Sequence, residues 1–166
     1  MRSLHQFWMG LIGMIALTLP AHVWARQPDV LPAFAVTSLN GSSITSDKLS
    51  LPNYWLLVYV EPRSKYADTV LSELKTEIDV LNQRVIVIVG GVPASQVLSL
   101  SRKYPHLQNV TWYADPKLDA FYKLKVPGSP VVLGMHQQVA QWHFAGSLPK
   151  VEVLRSMLRS WREKEK

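Results

Sequence analysis

Residues 58–74 read VYVEPRSKYADTVLSEL, and the hydrophobic period changes in the middle of the stretch. The run Tyr54 to Val60 is nearly continuous, apolar and rich in β-formers, as in a strand buried on both faces. Glu61-Pro62-Arg63 breaks it. From Ser64 a helical period takes over. Tyr66, Val70, Leu74, Ile78 and Leu81 recur at three- and four-residue spacing, Leu71 widens the stripe, and Asp68, Glu73, Lys75, Glu77 and Asp79 fall mostly elsewhere. The spacing predicts a helix over 64–81, with Ser64 as its N-cap.

Working outward, the same two periods alternate along the chain. Asn40-Gly41 separates two short β-like runs and accepts the positive φ of a hairpin turn. Ser46-Asp47-Lys48-Leu49 reads as a helical turn. RVIVIVG (84–90) is a second buried strand, and Pro93 and Ser95 open a helix that Pro105 cannot continue. VTWYAD (110–115) is a short strand, and PKLDAFYKLKV (116–126) a helix with Pro116 in its first turn. SPVVLGM and QVAQWHFAG form antiparallel strands about a turn at His136-Gln137-Gln138. A last helix from Pro149 to about Lys164 puts Val151, Leu154, Met157, Leu158 and Trp161 on one face. The order β-hairpin, β, α, β, α, β, α, β, β, α predicts a three-layer α/β/α sandwich, with a parallel core and an antiparallel edge in its mixed sheet.

The chain has 166 residues, enough for one domain with a substantial core. Its start differs in kind. Arg2 precedes an apolar run from Phe7 to Leu19, and Val23-Trp24-Ala25 offers a cleavage site, so residues 1–25 read as a signal peptide. The run is shorter than the ~20 residues that span a bilayer. An uncleaved anchor is the competing reading. Residues 26–32, with Pro28 and Pro32, read as an extended linker, and 33–166 as the domain. Export predicts a periplasmic location. Cleavage takes away Arg2 and no acid, lowering the net charge from +6 by one to +5. Arg155, Arg159, Arg162, Lys164 and Lys166 crowd the C-terminus. They suit peripheral contact with an anionic membrane, or plainly a solvated helix end diluted by Glu163 and Glu165. No basic–aromatic motif supports nucleic-acid binding.

Cysteine is absent. That removes disulfides, thiolate metal sites and thiol catalysis together. No P-loop or dinucleotide fingerprint is present, and no cofactor is expected. Glu61, Asp68, Glu73, Glu77, Asp79, Asp115 and Asp119 read as acids on solvated helix or loop surfaces, without a paired arrangement.

Three segments in this order resemble the exported TlpA/ResA-like proteins of thioredoxin fold, over about Ala33 to Trp161: FAVTSLNGSSITSDKL, WLLVYVEPRSKYADTVLSEL and YKLKVPGSPVVLGMHQQVAQWHFAG. The resemblance implies that Pro130, after Ser129, takes the place of the family's cis-proline beside the active-site loop. It also puts Ser64 and Ala67 where the Cys-x-x-Cys pair belongs, and Arg63 in place of the usual tryptophan. Disulfide exchange needs an attacking thiolate and a resolving thiol. A serine and an alanine supply neither, so a redox-inactive protein is expected, one that is not an enzyme. The scaffold implies instead a module that binds a protein partner in the cell envelope, through a groove formed by Glu61, Pro62, Arg63, Ser64, Lys65, Tyr66, Ser129 and Pro130. Secretion, conjugation and cytochrome maturation are settings in which such proteins serve. The alternative is a non-thiol enzyme using Ser64, or a metal protein using His136 and His143, which a hairpin could bring together. Neither has a motif behind it, and His106, after Pro105, is not tied to Ser64 by spacing.

Overall fold

The computed structural model describes residues 29–51, 53–75, 84–125, 128–145 and 151–163. Its centre is the strand β4 (Tyr54–Val60), in which every residue from Trp55 onward is buried. Because side chains alternate, such a strand needs cover on both faces. β5 (Val85–Gly90) lies parallel on one side of it, pairing Leu56 with Val85 and Val60 with Val89. β7 (Val131–His136) lies antiparallel on the other, pairing Tyr54 with His136 and Tyr59 with Val131.

The remaining strands are β1 (Asp29–Val30), β2 (Ala35–Ser38), β3 (Ser43–Thr45), β6 (Thr111–Asp115) and β8 (Val139–Ala145). The sheet runs β1-β8-β7-β4-β5-β6-β2-β3. β4, β5 and β6 are mutually parallel, and the outer pairs are antiparallel. Among the described residues the helices are α1 (Ala67–Glu73), α2 (Ala94–Ser101), α3 (Asp119–Leu124) and α4 (Val151–Glu163), with 3-10 turns at Ser46–Leu49 and Pro105–Leu107. One core face gathers Leu56, Val58 and Val60 with Val70 of α1, Val97 of α2 and Leu158 of α4. The other gathers Trp55, Leu57 and Tyr59 with Phe34 and Leu49, and Phe121 and Leu124 of α3 pack against it. Helices on both faces of a mixed sheet make the expected three-layer α/β/α sandwich.

Four expectations change in detail. Residues 29–31 are built into the sheet: Asp29 pairs with Ala140, Val30 with Val139, and the Leu31 amide donates to the Gln138 carbonyl at 2.8 Å. Leu31 is buried as well, so the extended segment is the first strand of the fold rather than a linker up to residue 32. The helix after β4 begins at Ala67, not Ser64. Its predicted continuation through Ile78 and Leu81 lies outside the described residues. α3 begins at Asp119, three residues beyond Pro116, because Leu118 takes a left-handed φ of 59°. The fourth change is Asp115, which is buried at the end of β6 rather than solvated.

The hairpin turn at Asn40-Gly41 forms as expected, with Gly41 at φ 91°. The second hairpin turns through Gln137 at φ 53°, held by the Trp55 indole N–H donating to its carbonyl at 2.7 Å and by its own amide donating to Asn53 O at 3.0 Å. α4 turns Leu154, Leu158 and Trp161 into the core, and Arg155 forms a bidentate pair with Glu73 of α1 at 2.5 and 2.9 Å. The apolar stripe of the basic terminal helix is therefore a packing stripe. No helix among the described residues is long and apolar enough to cross a membrane. The expected signal peptide and its cleavage site lie outside them.

Candidate functional site

β4 delivers the loop 61–66 to the end of the sheet where β4, β5 and β6 all finish. The loop is held to the Ser129–Pro130 turn that leads into β7. The Glu61 amide donates to Ser129 Oγ at 2.7 Å, and Ser64 Oγ donates to the Ser129 carbonyl at 2.8 Å. Within the loop the Ser64 amide donates to Glu61 O at 2.9 Å, and the Ala67 amide to Ser64 O at 3.2 Å. The Ser129–Pro130 peptide is cis. Glu61, Ser64, Ser129 and Pro130 thus come together from positions far apart in sequence. Pro62, Arg63 and Lys65 are exposed, Tyr66 is half-buried, and Lys65 Nζ lies 5.5 Å from the Tyr66 ring centroid. Ala67 is buried in the core below.

Ser64 is not the N-cap. That position is Tyr66, which makes no side-chain cap bond, and the turn closed by the Ala67 amide delays the helix. The Ser64 hydroxyl reaches instead across the chain to Ser129. As a hydrolytic nucleophile it would have to give its proton to a base, and here it gives a hydrogen bond to a carbonyl. None of the histidines among the described residues joins it. His106 Nε2 donates to the Leu71 carbonyl at 2.9 Å, His136 stacks on Tyr54 at 4.6 Å between centroids, and His143 pairs with Leu133.

His136 and His143 also do not meet each other. Tyr54, against which His136 stacks, packs on the face of α1, α2 and α4, whereas Leu133, the register partner of His143, belongs to the opposite face. The hairpin register, with its irregularity at Gly134/Met135, sends the two imidazoles to opposite sides of the sheet. Among the described residues no group of three or more histidines and carboxylates is placed to hold a metal ion.

The acids contain the main surprise. Asp115, read from sequence as a solvated surface carboxylate, is 1% exposed. It ends β6 and receives the Asp119 amide at 2.8 Å, the Phe121 amide at 3.2 Å and the Tyr59 hydroxyl at 3.2 Å. The carboxylate does from the strand what a capping side chain does for α3, satisfying amides that the first helical turn leaves open. Burial pushes the Asp115 carboxyl above its ordinary range, against the pull of those donors. Burial, followed by the Asp115 charge, likewise pushes the Tyr59 hydroxyl up. The sequence signal was an acid closing an apolar strand four residues before a helix start. Asp119, read as solvated, accepts from the Ala35 amide at 2.8 Å and joins α3 to β2. Asp68 is exposed and accepts from the Tyr104 hydroxyl, bracing α1 against the 3-10 turn at 105–107; burial, then that bond, raises the Tyr104 pKa. Glu77 and Asp79 lie outside the described residues.

No protein-family model matches the sequence, and no curated protein matches it. Solved structures do. A secreted disulfide oxidoreductase of Mycobacterium tuberculosis, homologous to E. coli DsbE, superposes with a TM-score of 0.61 at 16% identity, over 76% of this chain and 95% of that one. A thio-disulfide isomerase from Thermus thermophilus gives 0.62 at 19% identity, over 82% and 96%. ScoI of Arabidopsis thaliana, solved with copper bound, gives 0.61 at 11% identity, over 82% and 99%. At such identities the likeness is one of fold. The chain has the thioredoxin-like fold of these disulfide oxidoreductases, and it carries no cysteine with which to exchange a disulfide.

Proposed function

We propose that this chain is a redox-inactive, exported thioredoxin-like protein that binds a protein partner in the cell envelope through the loop 61–66 and the Ser129–Pro130 turn. One observation carries the reading. The loop that would bear the reactive pair is kept, and is tied to the Pro130 turn by two hydrogen bonds, while the residues at the reactive positions are Ser64 and Ala67. A scaffold kept without its chemistry is suited to holding rather than to converting. The secreted nature of one structural neighbour, together with the signal-like residues 1–25, supports export to the periplasm. Secretion, conjugation and cytochrome-maturation assemblies are the settings that suit such a module.

The test is site-specific photo-crosslinking in the intact cell. A photoreactive residue at Tyr66 is expected to trap a discrete envelope protein, and one at Ser99, exposed on α2, is not. No adduct at Tyr66 or Pro62, or the same adducts at Ser99, would refute the docking face. N-terminal sequencing of the recovered protein is expected to begin at Arg26.

A further inference from the structure

The two edges of the sheet differ. At one, β3 is only three residues long. At the other, β1 covers just Val139 and Ala140 of the seven-residue β8, and among the described residues nothing pairs with the outer side of Gln141 to Ala145. Hydrogen-bonded and non-bonded pairs alternate along an antiparallel ladder. Counted from the two-residue turn Gln137-Gln138, His136 with Val139 and Gly134 with Trp142 exchange bonds, so His143, opposite Leu133, turns its N–H and C=O outward. Proteins blunt long edges with charge, proline or a bulge. VAQWHFA (139–145) has neither charge nor proline, and its one irregularity, at Gly134/Met135, leaves Trp142 to Ala145 regular. α4 borders the same edge. Its residues Val153, Ser156, Met157 and Ser160, at three- and four-residue spacing on one side, carry no charge, and Val153 is 44% exposed. Met157 and the two serines line, with Trp142 and Trp161, a groove of about 310 Å³. A bare strand edge and an exposed valine thus share one uncharged border of the molecule.

We infer that a second copy of the chain docks on this border, the two β8 strands pairing antiparallel about a two-fold axis through His143. On that axis His143 exchanges both backbone bonds with His143 of the second copy. Trp142 lies opposite Phe144 of the second copy, and the symmetry makes the same aromatic cross-strand pair again. Both rings lie on the α4 face of the sheet, and the groove puts Trp142 against the middle of α4. The same axis therefore brings the two α4 helices side by side at Val153 and Met157. One axis serves strand and helix together, which the strand of an unrelated protein gives no reason to expect. Charge agrees: the chain carries +6, yet none of the border residues puts a cation in front of its copy. Each copy contributes about eight residues, against the ~20–30 of a standard interface, so the dimer is weak, with Kd of about 10–100 µM. β7 is antiparallel to both β4 and β8, so the dimer holds its two loops 61–66 at opposite ends of one continuous sheet. The border shares no residue with that loop or the Ser129–Pro130 turn, and the dimer does not depend on what they bind.

Sedimentation velocity on the recovered protein, from about 1 to 300 µM, is expected to show a monomer giving way to a dimer across the stated Kd range. His143→Glu sets two like charges directly opposite each other on an exposed position, and should raise Kd at least about tenfold with an unchanged thermal midpoint. Met157→Glu, on the helix side of the same axis, should do likewise. Ser43→Glu makes the same change of charge on exposed β3 at the far edge, and should leave Kd within about twofold. Because the chain has no cysteine, His143→Cys gives one thiol per copy. Residues paired across such an axis have Cα atoms about 5.5 Å apart, within the reach of a disulfide. Mild oxidation should link the His143→Cys protein into a dimer that reductant releases, and should leave Ser43→Cys monomeric. The competing occupants of the edge are the residues preceding Asp29 and an extended segment of another protein. Either leaves the chain monomeric at every concentration, which overturns the inference. A dimer indifferent to His143→Glu, or one broken by Ser43→Glu instead, overturns it as well, as does equal linking of the two cysteine variants.

Discussion

Asp115 offers the sharpest test of how the carboxyl end of the parallel strands is built. Replacing it with alanine removes the acceptor of three donors: the Asp119 amide at 2.8 Å, the Phe121 amide and the Tyr59 hydroxyl, both at 3.2 Å. Each lost bond is worth about 1 kcal/mol, and a buried donor left without a partner costs about 1–3 kcal/mol, so Asp115→Ala should lose about 4 kcal/mol. That is a large share of the ~5–15 kcal/mol typical of a domain. Asp115→Asn keeps the shape and one acceptor oxygen, and should lose about 2 kcal/mol at neutral pH.

The pH dependence separates burial from hydrogen bonding. Burial holds the native-state pKa of Asp115 above its ordinary 3.8. The native protein therefore binds that proton more tightly than the unfolded chain does. The group's contribution to stability is highest below pH 3.8 and declines as pH rises through the native pKa. Asparagine has no such proton, so the gap between wild type and Asp115→Asn should be widest in acid and narrow toward neutrality. Urea unfolding at pH 4 and pH 7, with matched slopes, measures it. A gap that widens with pH would mean that the three donors outweigh desolvation, and the reasoning about this carboxylate would be wrong. A loss below about 1 kcal/mol in Asp115→Ala would mean that water replaces it easily.

The other predictions concern the loop and its support. Ser129→Ala should deprotect the Glu61 amide in hydrogen exchange by about tenfold, while the Ser64 amide, which bonds Glu61 O, changes less; equal protection would show that the hydroxyl does not hold the loop. Gly90→Ala would drive a methyl into the buried Tyr59 ring, with Tyr59 Cζ 2.7 Å from the new carbon, and should cost about 3 kcal/mol by thermal unfolding. Ser64→Cys with Ala67→Cys should form an intramolecular disulfide and gain measurable disulfide reductase activity. A pair that stays reduced under oxidant in the folded protein would show that these positions are not the equivalent of the reactive pair.

The architecture was legible because it rests on local periodicity. The run at 54–60 could only be a strand covered on both sides, and Tyr66, Val70, Leu71 and Leu74 could only be one face of a helix. Element ends were less legible. Ser64 has the chemistry of an N-cap, and nothing local says that its hydroxyl will find a carbonyl 65 residues away. Pro116 has the chemistry of a first helical turn, but Asp115 and the left-handed Leu118 place the helix start at Asp119. Residues 29–31 lack a strand's length, so only their pairing with β8 makes them one.

The sequence by itself determined that this chain does no thiol chemistry, since the absence of cysteine is a matter of composition and holds in any fold. It also determined the α/β layering, since hydrophobic period dictates which surfaces must be covered. The tertiary structure alone decided what the remaining polar groups do. It sent Ser64 to Ser129, buried Asp115 beneath Tyr59, parted His136 from His143, and left Arg63 and Lys65 facing outward. The reason is physical: a polar side chain has no period to betray its direction, and its partner is whichever donor or acceptor the packed sheet brings within about 3 Å of it.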